Sequence, residues 1–134
     1  MRFSKGKYIF SRKELWDIQY HLAAIIRDAL IQFKNSNRLG FPANVNNIKY
    51  VEDDHENEKR LQEEWESVLD KMIFAFTEIS HNEENDPLLV WYGNGNNTDY
   101  KSAPEEVVQE SHQYDEKIQE GLKLFAEYYR ALWD

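Results

Sequence analysis

The stretch Ile118-Gln119-Glu120-Gly121-Leu122-Lys123-Leu124-Phe125-Ala126-Glu127-Tyr128-Tyr129-Arg130-Ala131-Leu132-Trp133-Asp134 decides the fold class. Apolar residues recur at 118, 122, 125, 129 and 132, the spacing of one helical face. Chain ends are ordinarily frayed and polar. An apolar end at helical spacing therefore predicts a terminal helix docked on a core, with Trp133 part of the packing. Gly121 has no Cβ, and so predicts a point where another helix backbone approaches closely.

Two further long helices are expected upstream. Ser11 followed by Glu14 is a capping box, in which each side chain satisfies an orphan backbone donor. An apolar series follows: Leu15, Ile18, Leu22, Ile25, Ile26, Ala29, Leu30 and Phe33. The second helix begins at Asp53 or Asp54 and buries Leu61, Trp65, Val68, Leu69, Met72, Ile73, Phe76 and Ile79. Phe74 lies off that stripe and predicts apolar contacts on a second side. A second capping box, Ser102 with Glu105, opens the third helix, with Pro104 in its first turn. The expected helices span 11–35, 54–80 and 103–133, in a single domain over 1–134.

Two long Asn-rich connections join them. Leu39-Gly40-Phe41-Pro42 reads as a turn, and Val45 to Val51 as a short strand or an extended arm. Leu88-Leu89-Val90-Trp91-Tyr92 has the length and composition of a strand, and Gly93-Asn94-Gly95-Asn96-Asn97 of a flexible turn. The expected fold is all-α: a bundle of three long helices, with short β pieces in the connections. The second apolar side of the middle helix predicts a homo-oligomer.

Composition narrows the function classes. The chain has 134 residues, with seven Phe, eight Tyr and four Trp, and a mean hydropathy of −0.81. Aromatics bury large areas each, so apolar stripes alternate with strongly solvated faces. Cysteine is absent, which removes disulfides and thiolate metal sites. No run approaches the ~20 apolar residues of a membrane helix, and no signal-peptide pattern follows the basic start. The net charge is −9. That opposes general nucleic-acid binding, which needs a basic patch for phosphates. It serves solubility, or a surface that meets a basic partner.

Few constellations carry chemistry. Asp17, His21, Ala24 and Asp28 share one face of the first helix. A carboxylate and a His at i,i+4 suit an acid–base pair or half a metal site, and equally a solvated polar face. Glu63, Glu66 and Asp70 share one face of the second. They resemble half of the Mg²⁺ motif of all-α nucleotide pyrophosphohydrolases of the dimeric dUTPase type. Those enzymes add a Glu-x-x-Asp on the next helix; here that helix offers only Glu110, Asp115, Glu116 and Glu120. Mg²⁺ is the one cofactor implied, and under this alternative alone. Gly93-Asn94-Gly95 lacks the pattern of a phosphate loop, and no nucleophile elbow frames a Ser. His55, His81 and His112 read as surface residues. Aromatics in the connections, Tyr50, Trp91, Tyr92 and Tyr100 foremost, can stack a base if cations flank them. Arg27, Arg38 and Lys101 are the candidate phosphate partners. The competing reading is that these aromatics pin ordered loops to the helices.

The pattern Trp65-Glu66-Ser67-Val68-Leu69-Asp70-Lys71-Met72-Ile73-Phe74-Ala75-Phe76, paired with Glu120 to Asp134, resembles a group of small proteins encoded by tailed bacteriophages. Trp16-Asp17, Leu22-Ala23 and Ile25-Ile26 are similar to their N-terminal part. The resemblance covers the three helices and implies a phage origin and an all-α core, with no catalytic motif. The expected function is a non-enzymatic phage accessory protein in the cytoplasm of an infected bacterium. It would bind a host factor, antagonising antiviral defence by sequestering a nucleotide signal or occluding a protein. The alternatives are the Mg-dependent pyrophosphohydrolase and a minor structural phage protein.

Overall fold

The computed structural model describes residues 1–36, 40–96 and 103–133. It is mostly helical, 69% helix and 8% strand, with two small antiparallel sheets. The chain runs β1 (Arg2–Ser4), β2 (Lys7–Ile9), α1 (Arg12–Trp16), α2 (Ile18–Asn35), β3 (Asn44–Val45), β4 (Ile48–Lys49), α3 (His55–Ser80), α4 (Pro87–Trp91) and α5 (Glu105–Tyr128). A 3-10 turn, Tyr129–Ala131, follows α5.

α3 is the central element. Asp54 caps it by accepting from the Asn57 backbone N–H at 3.0 Å. Its 26 residues span about 39 Å at helical rise. Leu61, Trp65, Val68, Leu69, Met72 and Phe76 are buried, as their spacing predicts. α2 packs antiparallel on it, since Lys34 pairs with Asp70 while Arg27 Nη1 donates to Ser80 Oγ at 2.8 Å. α5 is antiparallel too. Tyr128 meets Trp65 edge-on at 5.6 Å, Lys71 pairs with Glu120 at 3.0 Å, and Tyr114 meets Phe74 at 6.4 Å. Among the described residues no Cα of α2 lies within 8 Å of one in α5. The two helices flank α3 instead of closing a bundle with each other.

Gly121 behaves as its sequence context predicts. A Cβ there would stand 2.4 Å from the Lys71 carbonyl oxygen and 2.5 Å from Ala75 Cβ. This close approach fixes which face of α5 is buried: Ser111, Tyr114, Ile118, Gly121, Leu124 and Tyr128. The expected face at 118, 122, 125, 129 and 132 is therefore displaced. Leu122 and Phe125 move to the flank, and Tyr129 is 62% exposed. The helix stops at Tyr128 instead of reaching the end, and Trp133 is 73% exposed, not docked. Ala131 and Leu132 alone of this tail pack against the core. Ser102 of the second capping box lies outside the described residues, and Pro104 takes the N-cap position.

The second apolar side of α3 is covered within the chain. Ala75 and Phe74 pack with Tyr114 and Ile118 of α5. Phe74 therefore supplies no argument for an oligomer.

The first connection holds a docked hairpin. Asn46 and Asn47 take positive φ, 48° and 69°, the conformation a two-residue hairpin turn demands. Val45 is fully buried. The Asn46 backbone N–H donates to Tyr128 Oη at 2.9 Å, and Asn57 Nδ2 donates to the Lys49 carbonyl at 2.8 Å. The hairpin is thereby tied to both α3 and α5.

The second connection differs from expectation. Leu88 to Tyr92 is not a strand. Pro87 sits in the first turn of α4, and Asp86 Oδ1 accepts from the Leu88 backbone N–H at 3.0 Å. That cap and a proline with pre-set φ nucleate a helical turn. A kinked turn, Tyr92–Asn96, follows, with Gly95 at φ 92°.

The first helix also differs. It breaks at Asp17, with φ −125° and ψ 50°, into α1 and α2. The capping box is present: Ser11 N–H donates to Glu14 Oε2 at 2.6 Å and Glu14 N–H to Ser11 Oγ at 3.1 Å. The apolar series divides between two faces. Ala23, Ile26, Leu30 and Phe33 turn to the core, while Leu15, Leu22 and Ile25 are exposed.

Candidate functional site

The predicted site residues are scattered. Asp17 stands at the break between α1 and α2, and His21 one turn later, both exposed. No hydrogen bond or ion pair joins them among the described residues, and no third ligand faces them. Arg27 is a pin between helices: its Nε donates to Asp28 Oδ1 at 2.9 Å and its Nη1 to Ser80 at 2.8 Å. Engaged in this way, it is not poised for a phosphate. Arg38, Tyr100 and Lys101 lie outside the described residues.

The aromatics of the two connections do not converge where they are described. Tyr50 Oη donates to Glu58 Oε1 at 3.3 Å, which places it at the N-terminal end of α3. Desolvation, then Glu58, raises its pKa. Trp91 and Tyr92 meet edge-on at 4.9 Å. They follow the C-terminal end of α3, where α4 packs on α5. Glu58 and Ser80 are separated by about 33 Å along the helix. Phe41 packs against the core, and Tyr114 is buried. Phe41 thus holds its connection to the core, whereas Tyr114 belongs to α5 itself.

Glu63, Glu66 and Asp70 do share a face of α3. They line an open groove with Lys59, Gln62 and Ser67. Asp70 is paired with Lys34, and Glu120, the α5 carboxylate beside this groove, is paired with Lys71. Among the described residues no three His, Asp or Glu side chains converge as a metal site requires.

An acidic knot closes the end of α3. Asn82 and Glu83 take left-handed backbone, φ 57° and 54°, and turn the chain sharply. Glu78, 8% exposed, is held by Asn85 Nδ2 at 3.0 and 3.3 Å. Ser111 Oγ donates to Asp86 Oδ1 at 2.6 Å, joining the knot to α5. Burial, then Asp115, Asp86 and Glu78, raises the Glu83 pKa. Burial, then Glu78 and the neighbouring acids, pushes the Tyr114 phenol far up, and its Oη has no protein partner.

Among the described residues, two segments that bury none of their own side chains stand out for their exposed apolar residues. The first is the N-terminal arm, β1 to α1; no residue before Ala23 is buried. Phe3, Tyr8, Leu15 and Trp16 project from it, Trp16 at 81% exposure. The second is α4, where Leu89 and Val90 are half exposed beside the acidic knot. Sequence reasoning singled out neither segment. The available cues were the basic, aromatic-bearing start and the Asp86-Pro87 cap before an apolar run.

No family model, curated protein or solved structure matches this chain. Among the described residues no helix is long and apolar enough to cross a membrane.

Proposed function

We propose that this chain is a non-enzymatic binding protein that occludes a protein partner. Its class is the phage accessory protein that the sequence resembles, acting on a host defence factor in the infected cell's cytoplasm. One observation carries the reading: α4 is ordered and capped, yet turns Leu89 and Val90 outward. An exposed apolar pair on a capped, ordered turn is a surface that a protein partner can cover. The acidic knot beside α4 adds charge, so the fitting partner is a protein with an apolar contact inside a basic rim. Of the two modes expected from sequence, occlusion of a protein is favoured over sequestering a nucleotide, because Tyr50 and Trp91 lie at opposite ends of α3.

The test is made in bacteria carrying an antiviral defence. Expression of the wild type should raise phage plating, and Leu89→Asp with Val90→Asp should abolish the gain. A companion assay incubates the protein with nucleoside triphosphates and Mg²⁺ and separates the products by chromatography. Turnover that is lost in Glu66→Gln would replace this reading with the pyrophosphohydrolase one. Intact nucleotide recovered after denaturing the protein would restore the sequestration mode.

A further inference from the structure

We infer that the N-terminal arm and the outer stripe of α2 form the interface of a homodimer. The arm of one copy covers Leu22 and Ile25 of the other, and the exchange is reciprocal. This surface is separate from α4, so it stands or falls independently of the proposed function.

The arm is built, not loose. Its turn uses Lys5 and Gly6 at φ 51° and 77°, and Phe3 pairs across the hairpin with Tyr8 at 5.0 Å. Glu14 binds both the Ser11 backbone N–H and the Met1 ammonium. Among the elements, this arm contacts the body only through α1 against the start of α2. The hairpin leaves the aromatics of both strands exposed, and only Ser4 and Ile9 of its strands are partly covered. Isolated two-stranded hairpins are marginal in water, so the arm calls for a surface to lie on.

Three observations select a second copy as that surface. The first is nearness along the chain. Leu15 on the arm and Leu22 and Ile25 on α2 are exposed on either side of the break at Asp17. The second is area: Phe3, Tyr8, Trp16 and those three together offer on the order of 800 Å², one partner's share of a standard interface. The third is charge. Residues 1–16 carry Arg2, Lys5, Lys7, Arg12 and Lys13 against Glu14, a net +4. The rest of the chain therefore carries −13 of the total −9. Arm on arm repels, whereas the rest of the chain taken as a whole attracts the arm, and the exposed Asp17 stands at the start of α2. A reciprocal exchange is an isologous contact, which closes at two copies.

Sedimentation equilibrium tests this with the full chain. The wild type should show a mass near twice the 16.1 kDa of one chain. Its dissociation constant should rise with salt, because exposed opposite charges are screened. Trp16→Asp with Leu22→Asp should dissociate at least tenfold more readily, with the circular dichroism of a folded chain retained, since both side chains are exposed. A single-chain mass at every wild-type concentration would overturn the inference. So would a dimer indifferent to both substitutions, or an arm that binds anionic lipid vesicles while the free protein stays monomeric.

Discussion

At position 121 one hydrogen atom sets how closely α5 lies on α3. Alanine ordinarily improves a helix interior by up to about 1 kcal/mol over glycine. Here its methyl would meet a backbone oxygen and a buried Ala75, neither able to rotate away. Overpacking of this kind costs roughly 1–3 kcal/mol. Gly121→Ala should therefore lower the melting temperature despite the better propensity; a rise would show that α5 can slide. Tyr128 makes a second claim at this scale. Its Oη accepts from the Asn46 backbone N–H. Tyr128→Phe should cost about 1 kcal/mol in urea unfolding, with the loss confined to the hairpin's attachment.

Glu14 sets a pH dependence for the arm. The Met1 ammonium, then the Ser11 backbone N–H, hold its carboxyl down from 4.5 to about 2. A depressed carboxylate favours the folded arm above its unfolded value, and that help fades as pH falls from about 4.5 towards 2. The Ser11 amide resonance should follow this window in an NMR titration. In Glu14→Gln it should be insensitive to pH there. A wild-type midpoint near 4.5 would show that Glu14 is not held.

Among the elements, α3 was the most legible. Its cap, its stripe and its end all follow from residues 54 to 80, because burial recurs at helical spacing from Leu61 to Glu78. α5 was legible as a helix but not in its buried face: propensity and spacing do not reveal that Gly121 would draw its own side inward. The terminal aromatics misled for the same reason. Tyr129 continues the helical spacing but meets only the flank at Phe125, and Trp133 stays exposed. Leu132→Ala should thus destabilise the chain by about 1–2 kcal/mol, a partly buried truncation. Trp133→Ala should leave thermal unfolding unchanged, and a loss equal to that of Leu132→Ala would restore the docked end.

α4 shows why short apolar runs defeat periodicity. Five residues from Leu88 fit a strand or a buried turn equally, and the deciding chemistry is the Asp86 cap. Asp86→Ala removes the bonds to Leu88 N–H and to Ser111 at once. It should cost about 1–2 kcal/mol and speed amide exchange in 87–91. Unchanged exchange there would deny the cap its role.

For the molecule as a whole, two partners on opposite sides of α3 explain how a polar chain of this length organises a core. α2 and α5 fill two sides of α3, and the Asn46 hairpin seals the end near Trp65. The candidate site was less legible than the fold. Asp17 and His21 are both exposed, but the break at Asp17 interrupts the helix that was expected to carry them together. Arg27 carried the right charge but spends it on Asp28 and Ser80. What spacing cannot show is which apolar side chains remain outside after the helices pack. Leu22 and Ile25 belong to the same sequence stripe as Leu30, and only the docking of α2 separates them.

The central claim is that those outward apolar residues are interfaces. Amide hydrogen exchange at low and high protein concentration tests it most directly, because exposure of the arm is a property of the single chain. Protection in residues 1–25 should rise with concentration while α3 stays unchanged. An arm exchanging at one fast rate at every concentration would contradict the account.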